Sequence, residues 1–128
     1  MKYRIEYTDE LPSWVGGRCT FPVLPYFGMG TCTIKIKYKY KDDLGLLNHE
    51  IEHARQYKNN WFHVVKYKFS KKYRFESELK AYKMQILTYQ YKQISQCKWI
   101  IDTLFSKYNL EIDKDVITKR VRELLDDR

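Results

Sequence analysis

Three histidines and three cysteines are all that 128 residues carry of these two types. Cys19, Cys32 and Cys97 are odd in number, widely spaced and never form a C-x-x-C pair. That excludes a disulfide framework and leaves reduced, mostly buried thiols. No apolar run approaches the roughly 18 residues that would mark a membrane-spanning helix, so none is expected. The opening stretch MKYRIEYTDELPSW lacks a basic segment followed by an apolar one. A signal peptide is therefore excluded, and the expected compartment is the cytosol of the cell that makes the protein. All three prolines and four of the five glycines fall between Leu11 and Gly30, which concentrates the loop signals there and leaves the rest free to be regular. There is no internal repeat and no low-complexity tract.

What is present suits one folded domain spanning 1–128: 44% of residues are apolar and 31% charged. The net charge of +8 would favour an acidic partner. The lysines, however, are interleaved with tyrosine and isoleucine along the chain, and no compact basic block stands out. Nucleic-acid binding is thus possible but not favoured.

Periodicity predicts an α+β fold: a small antiparallel sheet with an edge strand packed on one helix, a long following helix, and a C-terminal helix outside. KYRIEY alternates Tyr3, Ile5 and Tyr7 against charged neighbours and reads as a strand. In the loop that follows, Trp14, Phe21, Val23 and Phe27 are apolar and need a place to pack. TIKIKYKYK (Thr33 to Lys41) alternates Ile34, Ile36, Tyr38 and Tyr40 with lysines, which reads as an edge strand with one wet face. KDDLGLLNHEIEHARQYK reads as a helix capped by Asp42 or Asp43, with Leu44, Leu47, Ile51 and Ala54 at helical spacing. Asn59 to Tyr73 is ambiguous between loop, strand and helical turns. From about Arg74 to Tyr108 apolar residues, among them Tyr91, Ile94 and Cys97, step by three or four. This predicts one long helix, or two broken within YQYKQISQ. Asn109 marks a stop. Asp113 or Asp115 begins a last helix with Val116, Ile117, Val121, Leu124 and Leu125 inward.

The densest chemistry lies in HEIEH, residues 49–53. On a helix, positions four apart share a face, so His49 and His53 can converge on one zinc ion. Glu50 is turned away from ligation and toward the water on that ion, whose proton it can accept. The bland alternative is a polar stripe on a solvated helix face. A catalytic zinc needs a third protein ligand and an open position. RFESELKAYKMQ offers Glu78 and Glu76. Glu78 borders the stripe of Phe75, Leu79 and Tyr82, with small Ala81 nearby to let two helices approach. Glu76 lies on another side and is the reserve; His63, ten residues past His53, is better suited to a substrate-side or surface role. Tyr57, His63, Tyr67 and Tyr73 are the candidates for stabilising a developing oxyanion.

The segment from about Thr33 to Gln85 resembles a small zincin metallopeptidase of the Glu-zincin type, in which H-E-x-x-H on one helix is followed by Glu-x-x-Ala-Asp on the next. HEIEH matches the first motif, and ELKAY the second with Tyr82 at the usual Asp. The extension HEIEHARQ is similar to compact phage and prophage metallopeptidases. The resemblance implies that His49, His53 and Glu78 bind Zn2+ and that Glu50 is the general base hydrolysing a peptide or protein substrate. It also implies that the lysine-rich strand pairs with an extended peptide, in a host cytoplasm or a virion. The Asp that Tyr82 replaces usually orients a histidine ligand; Glu52 and Asn48 are the candidates to substitute. The competing function is a zincin-fold assembly component without proteolysis, for example of a phage particle.

Overall fold

The computed structural model describes residues 3–22, 30–60, 62–89 and 94–126, the backbone alone for 94–97 and 125–126. Val23, Phe27 and Tyr91, and the side chains of Ile94, Cys97 and Leu125, lie outside the described residues. Strands β1 (Tyr3–Thr8), β2 (Gly17–Thr20) and β3 (Cys32–Lys37) precede helices α1 (Leu44–Asn59), α2 (His63–Phe69), α3 (Lys71–Thr88), α4 (Ile94–Lys107) and α5 (Lys114–Asp126). The class is α+β, as expected. Among the described residues no helix is long and apolar enough to cross a membrane.

The sheet differs from expectation in two respects. It is mixed, not antiparallel: β3 pairs parallel with β1 and antiparallel with β2. And β3 is its central strand, in the order β1-β3-β2, so the lysine-rich segment is no edge. The alternating lysines do not mark an exposed face either: Lys35 is half-buried, and Lys37 is buried and donates to the Ser13 carbonyl at 3.1 Å. Ile34 and Ile36 are buried to 0% and 2% exposure on the covered face. The strand also stops at Lys37, where Tyr38–Tyr40 form one 3-10 turn. β1 is an edge, and Tyr3 and Ile5 stay exposed there.

Asp43 caps α1 by accepting a hydrogen bond from Leu46 N at 3.0 Å. Its inner face is not the expected apolar stripe. Leu44 is exposed and Leu47 and Ile51 are half-buried, whereas His49, Glu50, Glu52, His53 and Gln56 are buried with Ala54 and Tyr57. The histidines therefore sit in the interior and not on a solvated surface.

Contacts between α1 and α3 pair rising numbers with falling ones: Asn48 with Thr88, His53 with Glu78, Gln56 with Ser77. The two helices are thus antiparallel neighbours. Fully buried Ala54 and Ala81 let them lie close, and Gly45 leaves room for the Tyr89 ring, which a Cβ would meet at 2.4 Å. The ambiguous segment after α1 becomes α2, entered through Phe62 at φ 60°. The long helical pattern resolves into α3 and α4, with the break inside the expected stretch. Asn109, at φ 51°, ends the run. α3, α4 and α5 enclose the main apolar core of Leu79, Tyr82, Ile100, Leu104, Ile117 and Val121, while Val116, expected inward, is exposed.

Arg74 ties this architecture to α2. Its guanidinium donates to the carbonyls of Tyr67 (2.7 Å), Lys68 (3.1 Å), Tyr108 (2.9 Å) and Asn109 (3.0 Å). One planar fork thereby closes the carbonyl ends of two helices and fixes where α2 presents its side chains.

Candidate metal centre

Three side chains meet between α1 and α3. His49 Nε2 lies 3.3 Å from Glu78 Oε1, and His53 Nε2 lies 3.2 Å from each Glu78 oxygen. All three residues are buried, at 4%, 7% and 2% exposure, and their donor atoms lie within 4.8 Å of one another. Two ligands at tetrahedral angles on a zinc with bonds of about 2.05 Å stand about 3.3 Å apart. The spacing and the chemistry of the donor set therefore both fit that ion, and the nitrogens facing the carboxylate are the outer ring nitrogens of both histidines.

The electrostatics are those of a buried histidine–carboxylate cluster. Burial opposes a charge on Glu78, yet His53 and the hydrogen bonds from both histidines hold its carboxyl well below the usual range. Burial likewise opposes a proton on His53, but the Glu78 charge overrides it and raises the group to about 9. A buried carboxylate stays ionised here, ready to meet a cation in place of that proton.

Glu50 is buried and stands outside the group of three. It lines the same cavity of about 700 Å3 as His49, His53 and Glu78, and its Cγ lies 3.4 Å from where a Cβ on Gly17 would stand. Glu76, the reserve ligand, is elsewhere: its carboxylate binds the Arg120 guanidinium of α5 at 2.8 and 3.0 Å. Two residues along a helix turn a side chain by about 200°, and that separates the two glutamates.

The four oxyanion candidates also separate. Tyr67 donates its hydroxyl to Glu78 Oε2, and burial with the adjacent Glu78 charge raises its pKa, so the phenol keeps its proton. His63, expected on the substrate side or at the surface, is not at the surface, being 1% exposed, and lines the same cavity as His49, His53 and Glu78. Its Nδ1 lies 2.7 Å from the Tyr73 hydroxyl, and burial, helped by the charge of His53, pushes it down to about 4. Tyr57 stacks on Phe21 at 4.9 Å between centroids.

At position 82 the tyrosine offers no hydrogen bond to a histidine. It sets its ring edgewise to His49, 4.4 Å between centroids, and its hydroxyl meets that of Tyr108 at 2.8 Å. His49 Nδ1 is buried with no hydrogen-bond partner among the described residues. Asn48 bonds Thr88 and reaches no histidine. His53 Nδ1, by contrast, faces Ser77 Oγ at 3.5 Å. No sequence pattern singles out Ser77, which simply precedes Glu78.

The cavity opens past β2, which contributes Gly17, Arg18 and Cys19, and past Trp14 and Trp99, whose side chains remain 74% and 49% exposed. Cys19 and Cys32 are free thiols, half-buried and buried. Comparisons of the chain with protein-family models, curated proteins and solved structures find no match.

Proposed function

We propose that this protein is a zinc-dependent peptidase in which His49, His53 and Glu78 hold the metal and Glu50 is the general base. The observation that carries the reading is the convergence of two histidine Nε2 atoms on one buried carboxylate at 3.2–3.3 Å, with a second buried carboxylate in the same cavity. Bound there, zinc supplies Lewis-acid polarisation of oxygen near neutral pH. Three protein ligands leave a fourth position for water or substrate. Glu50, next to a ligand but outside the ligand set, takes the proton of the attacking water and returns it to the leaving amine. Tyr67, protonated and fixed on α2 by Arg74, would turn its hydroxyl from Glu78 Oε2 to the carbonyl oxygen as charge develops there. β2, not β3, is the sheet edge bordering the cavity. Its outer main-chain groups suit an extended peptide, while Trp14 and Trp99 offer apolar platforms for side chains.

Metal analysis followed by digestion of a peptide library tests this. The expected result is about one zinc per chain and cleavage products from wild type. Glu50→Gln should keep the zinc and lose at least about 100-fold in rate. A zinc-free protein, or a Glu50→Gln variant that cleaves as fast as wild type, would overturn the assignment. Zinc retained with no cleavage of any peptide would favour the assembly role.

A further inference from the structure

We infer that Ser77 and Gln56, backed by Glu52, are positioning residues that hold His53 in the tautomer and ring orientation a metal requires, a task that position 82 cannot perform in this chain. The inference rests on the zinc reading above.

Donor bookkeeping gives the relay a direction. Ser77 Oγ donates to Gln56 Oε1, so its remaining lone pairs are acceptors, and they face His53 Nδ1 at 3.5 Å. The Gln56 amide cannot be turned over. Its nitrogen donates to Glu52 Oε2 and to the Ser77 carbonyl, both at 3.1 Å, and reversal would set oxygen against both acceptors. Glu52 is anchored in turn: its Oε1 accepts from Arg55 Nε at 2.9 Å and Nη2 at 2.6 Å, which balances a carboxylate only 4% exposed. The bonds from Ser77 through Gln56 to Glu52 therefore all point away from His53, Arg55 closes the far end on Glu52, and an acceptor is left facing Nδ1. An acceptor there holds a proton on Nδ1 and leaves the Nε2 lone pair for a cation beside Glu78.

Burial makes the relay more than a surface accident. Ser77 and Gln56 are 5% and 6% exposed, and an incomplete polar network at that depth would be costly. The two histidines are consequently held by different means. His49 is fixed by the shape of the Tyr82 ring, with no hydrogen bond at Nδ1 among the described residues, while His53 is fixed by a polar chain running back into α1.

Zn2+ titration against a competing chelator tests the relay on wild type, Ser77→Ala, Ser77→Thr and Gln56→Met. Ser77→Ala and Gln56→Met should weaken zinc binding by about 10- to 100-fold. Ser77→Thr keeps the hydroxyl and should restore affinity close to wild type. The unfolding temperature of each chelator-treated variant serves as the folding control; if Gln56→Met fails to fold, the Ser77 pair decides alone. Wild-type affinity in a folded Ser77→Ala variant would overturn the relay and leave the zinc site standing. Absence of zinc binding by wild type would overturn both.

Discussion

Glu78 places its carboxylate 3.2 Å from His53 Nε2, whereas Glu76, two residues earlier on α3, is committed to Arg120. The same helix thus sends one glutamate into the interior and the other to α5. Glu78→Ala should abolish stoichiometric zinc binding, because two histidines leave the ion half-coordinated. Glu76→Ala should leave zinc content unchanged and cost about 1 kcal/mol or less, the range of a half-exposed ion pair. Metal analysis of both variants decides; zinc lost from Glu76→Ala and kept by Glu78→Ala would reverse the ligand assignment.

Stability of the chelator-treated protein should depend on pH with a maximum. His53 is raised from 6.5 to about 9 because the charge of Glu78 outweighs burial. Its contribution is therefore complete below about pH 6.5 and is lost as pH rises through 9. On the acid side, burial and the charge of His53 push His63 down from 6.5 to about 4. The unfolded chain then takes up a proton that the folded one refuses, and stability declines as pH falls over that interval. Glu78, depressed by the histidines, withdraws its own contribution as pH drops below its unfolded value of 4.5. Unfolding temperatures measured from pH 4 to 9 should peak near 6.5, and His53→Asn should flatten the alkaline side. An unchanged alkaline decline in that variant would locate its cause elsewhere.

Arg74 should be irreplaceable by lysine. Its fork reaches four carbonyls on two chain segments, and a single ammonium cannot reproduce that planar pattern. Arg74→Lys should cost about 2 kcal/mol in denaturant unfolding, although the charge is kept. An unaltered midpoint would mean that water replaces the lost bonds without penalty.

The meeting of His49, His53 and Glu78 was legible because its grammar is local. HEIEH needs only helical spacing to converge, and Glu78 declared itself by bordering the Phe75–Leu79–Tyr82 stripe, all three of which are buried. The inner face of α1 was not legible in the same way. Leu44, Leu47 and Ile51 form the apolar pattern, but the helix turns its histidines and Gln56 inward because α3 supplies polar partners there, and no pattern within α1 announces α3. The place of β3 depended on nonlocal pairing: Tyr3 lies opposite Cys32 and Gly17 opposite Ile36, and β2 is only four residues inside a loop-like stretch. Ser77 had no signal, since a small hydroxyl beside Glu78 meets Gln56 only once that residue arrives from another helix.

On the proposed peptidase reading, Tyr67 is the residue that would separate catalysis from metal binding. Its hydroxyl donates to Glu78 Oε2, yet phenol is outside the ligand set, and burial together with the Glu78 charge keeps it protonated. A donor that remains protonated beside the metal ligands serves best where negative charge appears during reaction. The Arg74 bond to the Tyr67 carbonyl at 2.7 Å holds the residue in place before substrate arrives. Tyr67→Phe should therefore keep zinc and fold, leave KM nearly unchanged, and lower kcat by about 100-fold, the usual loss for one such donor. Tyr73→Phe is the matched control, because its hydroxyl meets His63 and not Glu78, and it should retain most activity. Steady-state kinetics on a cleaved peptide separates the two. A Tyr67→Phe enzyme with wild-type kcat, or one that loses its zinc, would remove Tyr67 from the oxyanion role.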